Sequence, residues 1–131
     1  MAHLLVVDDD QGMREFLEIM LAKEGFAVTV ADSGDKALAL CRKNAYQLIV
    51  TDLRMPKMDG IEFLRRVKDL NPDLPVVLIT GFASAETALS AMKEGAYDYV
   101  EKDFQIEDLM KVIRNALEQK GVKREERLAK D

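Results

Sequence analysis

The chain has 131 residues, 48% hydrophobic and 33% charged, an ordinary balance for one soluble globular domain with a core of its own. A net charge of −5 speaks against nucleic-acid binding, which wants a basic face, and the single cysteine, Cys41, excludes an internal disulfide and fits a reducing cytoplasm. No apolar run approaches the roughly 20 residues of a membrane span, and the chain enters an apolar strand at Leu4, so neither an anchor nor a signal peptide is expected.

Leu4-Leu5-Val6-Val7 is a continuous apolar run, the mark of a strand covered on both faces. It ends in Asp8-Asp9-Asp10, of which Asp10 can cap the helix that follows. That helix carries Met13, Phe16, Leu17, Met20 and Leu21 as one apolar stripe, and Gly25 ends it. Phe26, Val28 and Val30 then alternate with Ala27, Thr29 and Ala31, which predicts a less covered strand at a sheet edge. Ser33 can cap a second helix with Ala37, Leu40 and Cys41 inward. Leu48-Ile49-Val50 is a buried strand too short for a helix, and it delivers Asp52 to its carboxyl end. Pro56 and Gly60 break the chain, and Asp59 can cap a third helix with Ile61, Leu64, Val67 and Leu70 on one face.

Pro75 to Thr80 reads as a fourth strand, with proline tolerated at its first position, and Gly81 as a turn that leaves the approach to Asp52 open. Ser84 to Glu94 predicts a helix with a thin apolar face, Ala88, Ala91 and Met92, hence the least firmly packed one. Ala96 to Val100 forms a short fifth strand leading to Glu101 and Lys102. The last helix turns Ile106, Leu109, Met110, Ile113, Ala116 and Leu117 inward. The domain is expected to span residues 1–119. Residues 120–131 hold five Lys/Arg against three Asp/Glu, and Leu128 stands nearly alone there, so they read as a charged linker or tail.

Strands alternating with helices predict an α/β fold, a doubly wound parallel sheet of flavodoxin-like form with strand order 2-1-3-4-5. Ligands in such sheets sit at the carboxyl ends of the strands, beside the switch point, where Asp8, Asp9 and Asp52 would meet. Three carboxylates repel unless a cation sits among them, and hard oxygen donors suit Mg²⁺ or Mn²⁺. Mg²⁺ usually takes one or two carboxylates, which leaves one free as a nucleophile able to form an acyl phosphate. Lys102 offers an ammonium to phosphoryl oxygens, and Thr80 a hydroxyl that can swing to them. Tyr99 is either a ring that changes rotamer with the switch or a half-buried core residue. His3, the only histidine, precedes the first strand and reads as solvated, so a phosphohistidine would have to come from outside.

The stretches Val6-Val7-Asp8-Asp9-Asp10, Thr51-Asp52-Leu53-Arg54-Met55-Pro56-Lys57-Met58-Asp59-Gly60, Ile79-Thr80-Gly81 and Gly95-Ala96-Tyr97-Asp98-Tyr99-Val100-Glu101-Lys102 together resemble the receiver domain of a two-component response regulator. The likeness covers residues 4 to about 118. It implies a phosphorylation-activated switch in which Asp52 accepts a phosphoryl group from a sensor histidine kinase. It implies that Asp9 and Asp52, with the backbone carbonyl of Arg54, bind Mg²⁺, that Asp8 assists through water, and that Lys102 contacts the phosphoryl group. Thr80 and Tyr99 would relay the change to the face of helix four, strand five and helix five, where such domains form homodimers. The resemblance implies a cytoplasmic protein with self-phosphotransfer and slow self-dephosphorylation, not a turnover enzyme. Asp52-Leu53-Arg54-Met55-Pro56 and Gly95-Ala96-Tyr97-Asp98-Tyr99 are similar to receivers of the nitrogen-regulator type, which usually precede an ATPase domain that activates sigma-54 transcription. That implies a transcriptional output through a further domain or partner, with no direct nucleic-acid or membrane contact.

One residue departs from the family pattern. Asp103 stands where the family usually has a proline joined by a cis bond; cis without proline costs about 2.5–4 kcal/mol, so a trans Lys102–Asp103 bond and a shifted loop before the last helix are expected. Asp103 is also the one support for an alternative, a degenerate receiver acting as a phosphorylation-independent binding module. A phosphatase working through an aspartyl phosphate would want a second acid two residues after the nucleophile, where Arg54 stands, and an insertion to cap the site. A nucleotide-binding flavodoxin-like protein would want a glycine-rich loop after the first strand, and none is there.

Overall fold

The computed structural model describes residues 1–55, 57–81 and 85–119; the tail read at 120–131, the break at Pro56 and the helix start at Ser84 lie outside them. Strands and helices alternate as β1 (His3–Val7), α1 (Gln11–Lys23), β2 (Ala27–Ala31), α2 (Gly34–Lys43), β3 (Leu48–Asp52), α3 (Gly60–Leu70), β4 (Val76–Thr80), α4 (Ala85–Lys93), β5 (Asp98–Glu101) and α5 (Ile106–Gln119). The strands pair in parallel in the order β2-β1-β3-β4-β5, the doubly wound order the sequence pattern predicts. The alternating strand is indeed at an edge, and its residues Ala27 to Val30 are only half-buried.

Register aligns the chemistry. Val7 pairs with Ala31 and with Thr51, Asp52 with Ile79, and Thr80 with Glu101. Asp8, Asp52, Thr80 and Lys102 therefore arrive together at the carboxyl ends of β1, β3, β4 and β5. Alternating side chains build a core on each face. Leu5, Val7, Ile49, Val76 and Leu78 pack with residues of α2, α3 and α4, whereas Leu4, Val6, Val50, Val77 and Ile79 pack with α1 and α5.

Three helices start where a short polar side chain accepts a backbone N–H: Asp10 from Gly12, Ser33 from Lys36, and Asp59 from Glu62. Gly25 and Gly95 follow α1 and α4 at φ +95° and +106°, a conformation that suits a residue without Cβ.

Some stripe readings shift. In α1 Leu17 and Leu21 are buried, but Phe16 is 43% exposed and Met13 and Met20 half-buried, because the helix meets the sheet along the Leu17–Leu21 line and Phe16 falls at its border. In α3 Phe63 is buried beside Leu64 and Val67, while Leu70, at the last turn, is exposed. In α2 Leu38 is buried with Ala37, and Leu40 and Cys41 are packed only in part. β5 begins at Asp98; Ala96 and Tyr97 are buried ahead of it. α4 buries Ala91 and Met92 and leaves Leu89 exposed; the Ala88 side chain lies outside the described residues. Among the described residues there is no cis peptide bond, so Lys102–Asp103 is trans, and no helix is long and apolar enough to cross a membrane.

Candidate functional site

Asp8 leaves β1 one residue past its last pair, Asp52 is the last residue of β3, and Asp9 follows Asp8 outward. One carboxylate oxygen from each lies within 4.8 Å of those of the other two. Asp8 and Asp52 are buried, at 1% and 4% exposure, and Asp9 is exposed.

Each group of Asp8 has a distinct fate. Its N–H donates to Ala31 O (3.1 Å), its Oδ1 accepts the N–H of Asp10 (2.9 Å), and its carbonyl accepts from Arg14 Nη1 (2.7 Å). Its Oδ2 is buried with no hydrogen-bond partner among the described residues. Burial pushes the Asp8 carboxyl up to about 6; the Asp10 N–H works against that shift, and the neighbouring Asp52 carboxylate adds to it. Asp52 Oδ1 accepts the N–H of Arg54 (3.3 Å), and Oδ2 faces Lys102 Nζ at 3.4 Å.

Lys102 is placed by the backbone: its N–H donates to Thr80 O (2.8 Å), continuing the β4–β5 ladder by one residue. Thr80 is buried, and its Oγ1 has no hydrogen-bond partner among the described residues. Tyr99, opposite Leu78, is half-buried against the core on the α2–α4 side. Among the described residues a Cβ on Gly81 would meet the Lys102 stem at 3.7 Å, an ordinary contact. Asp8, Asp9, Asp52 and Lys102 thus come together, Thr80 sits at the adjoining strand end, and Tyr99 lies further into the sheet.

His3 is not simply solvated. It is half-buried at the opposite end of β1, with Nε2 2.6 Å from Thr29 Oγ1 and its ring edge-on to Tyr46. Met55 and Met58, in the loop after Asp52, are buried core residues. The residue missed by pattern reading is Arg14. Its only signal is its place one turn into α1, since helical side chains lean toward the N-terminus and so back over the preceding loop.

Three hard carboxylate donors, with Asp8 also keeping a buried Oδ2 that has no partner among the described residues, fit a small divalent cation such as Mg²⁺. The Asp8 proton gives a test in chelator. The fold keeps that proton to about pH 6, whereas an unfolded carboxyl releases it near 3.8, so stability is lost as pH rises across this window and stays lost above it. In scanning calorimetry Asp8→Asn is expected to melt several degrees above the unaltered protein at neutral pH, with the gap closing as the medium becomes acid. Parallel curves throughout would contradict this account of Asp8.

The model of the response regulator receiver domain family matches residues 4–114. The chain is similar to the transcriptional regulatory protein ZraR of Salmonella typhimurium, 41% identical over 114 residues that cover 87% of this chain and 26% of that protein. It thus spans about a quarter of the length of that relative. It is similar to a crystal structure of NtrX from Brucella abortus in complex with ADP (38% identity, TM-score 0.86, covering 90% of this chain and 27% of that one). It is also similar to the solution structure of the beryllofluoride-activated NtrC4 receiver domain dimer (35% identity, TM-score 0.86, covering 91% and 98%).

Proposed function

The chain belongs to the response regulator receiver domain family, and from that premise we propose that Asp52 accepts a phosphoryl group from the phosphohistidine of a sensor kinase. The observation that carries this reading is the pairing of a buried Asp52 carboxylate with Lys102 Nζ at 3.4 Å beside Asp8 and Asp9. An Asp52 oxygen attacks phosphorus in line, the bond from phosphorus to the donor nitrogen breaks, and its electron pair leaves with the imidazole. Lys102 moves its ammonium from the carboxylate to the oxygens of the arriving group. Asp9, Asp52 and the Arg54 carbonyl would hold Mg²⁺ (Mn²⁺ is an equivalent hard ion), and Asp8 would assist through water. When bound, that cation supplies positive charge that lets an anionic donor approach three carboxylates.

The new charge draws in Thr80, whose buried Oγ1 has no hydrogen-bond partner among the described residues to give up. On the same sheet face Tyr99 and the thinly buried α4 then shift, which alters the α4–β5–α5 surface. Residues 1–119 are the switch, and 120–131 lead toward an output domain or partner. That output is transcriptional, in keeping with ZraR, through a sigma-54-activating ATPase domain, with a homodimer of receivers as in the NtrC4 structure. The protein acts in the cytoplasm as a signalling module. Asp103 leaves Lys102 within reach of Asp52, which weighs against the degenerate-module reading.

The test is intact mass after incubation with acetyl phosphate. One added phosphoryl group is expected with Mg²⁺ and none with chelator. No addition in either condition would leave the phosphorylation-independent module as the better reading.

A further inference from the structure

Arg14 is the one long cationic side chain of α1 that reaches the carboxylate edge through the backbone. It sits one turn past the cap residue Asp10, half-buried, and its guanidinium leans back over the loop that precedes its helix. There Nη1 donates to the carbonyl of Asp8 at 2.7 Å, a short charge-assisted hydrogen bond. Arg14 also lines one cleft with Asp32 of the neighbouring β2–α2 loop, so one guanidinium stands beside both loops on that side of the site.

The bond matters because of what else Asp8 does. β1 has ended, so no strand partner is left for the Asp8 carbonyl. The residue is buried, and its peptide orientation sets where the unpartnered Oδ2 is aimed. The Asp8 N–H is tied to Ala31 O and its Oδ1 to the Asp10 N–H. Arg14 secures the remaining backbone group. With it in place, the Asp8–Asp9 peptide has little freedom to turn, which fixes the Asp8 carboxylate and the backbone point from which the Asp9 side chain starts.

We propose that Arg14 is a positioning residue for the divalent-cation site: by fixing the Asp8 carbonyl it holds the Asp8 and Asp9 carboxylates in the geometry that binds Mg²⁺. This rests on the cation site proposed above. The guanidinium acts through the backbone carbonyl of Asp8. Residues that orient metal ligands are typically worth 10–100-fold in affinity, and an exposed Asp9 with some freedom of its own puts Arg14 near the lower figure, about 10-fold.

Arg14→Met keeps the apolar stem and removes every donor, and Arg14→Lys returns one donor. Both are compared with the unaltered chain at a temperature where circular dichroism shows all three folded. Three readouts are taken: the Mg²⁺ dissociation constant by calorimetry, the Mg²⁺ concentration at half-maximal rate of phosphoryl uptake from acetyl phosphate, and amide hydrogen exchange at Asp10 in chelator. Arg14→Met is expected to weaken Mg²⁺ about 10-fold, to raise the half-saturating concentration by the same factor with the saturated rate unchanged, and to speed Asp10 exchange. Arg14→Lys should recover part of each. Mg²⁺ affinity within two-fold of the unaltered protein, or a lowered saturated rate at unchanged half-saturation, overturns the assignment to Arg14. Absence of Mg²⁺ binding by the unaltered protein overturns the cation site itself.

Discussion

Asp52→Asn is expected to abolish phosphoryl uptake, with no added mass at any Mg²⁺ concentration, while leaving the fold intact. Asparagine matches the shape of the carboxylate and can still accept the Arg54 N–H that now reaches Oδ1 at 3.3 Å. It has neither the charge that faces Lys102 nor an anionic oxygen, so its neutral amide cannot attack phosphorus as the carboxylate does. The loss of the Lys102 contact is offset by relief from two neighbouring carboxylates, so the melting temperature should move by only a few degrees. Asp8 and Asp9 are the alternative acceptors. Neither forms an ion pair among the described residues, whereas Asp52 Oδ2 faces Lys102 Nζ at 3.4 Å; Asp8 is also buried with its Oδ1 held by the Asp10 N–H, and Asp9 is exposed. Fragment mass spectra that place a phosphoryl group on either of them in the mutant would show that Asp52 is not the acceptor.

The fold was legible wherever burial on both faces erased polarity from a strand. Leu4–Val7 and Leu48–Val50 read as buried strands and lie inside the sheet, and the alternation from Phe26 to Ala31 suggested the edge position that β2 occupies. Helical stripes were less decisive, because periodicity gives the direction of a face but not its width. Width depends on the element lying opposite, which left Phe16 and Leu70 outside and brought Leu38 and Phe63 in. The site was legible because its parts fall at strand ends in a parallel sheet, where topology decides which residues meet. Two features of it were not. Asp8 looks like any member of a three-aspartate run, and only its place against Ala31 buries it. Arg14 looks like any helix-surface arginine, and its target is a backbone carbonyl that carries no signature in sequence.

The largest effect expected on the fold comes from Gly60→Ala, which should lower stability by about 2–4 kcal/mol, a fall in melting temperature of roughly 8–15 °C. Gly60 opens α3, and its N–H donates to Leu53 O at 2.7 Å, closing the loop that leaves Asp52. A Cβ there would stand 2.6 Å from Leu53 O and 2.7 Å from Leu53 Cα, inside any real contact distance. Leu53 cannot retreat, because its own N–H is bonded to Ile79 O at 3.1 Å and its side chain is buried. Either the Gly60–Leu53 closure opens, or Leu53 moves and takes the adjoining Asp52 and Arg54 with it. Mg²⁺ binding and phosphoryl uptake should therefore weaken together with the fold, unlike Asp52→Asn, which spares the fold. Gly34→Ala is the matched comparison. Its Cβ would meet Met58 Sδ at 3.0 Å and Phe63 Cδ1 at 3.4 Å, and a methionine side chain can turn aside, so the expected cost is under about 1 kcal/mol. Equal melting temperatures for the two variants would mean that the β3–α3 loop yields as easily as a side chain, and that Asp52 is held in place by β3 alone.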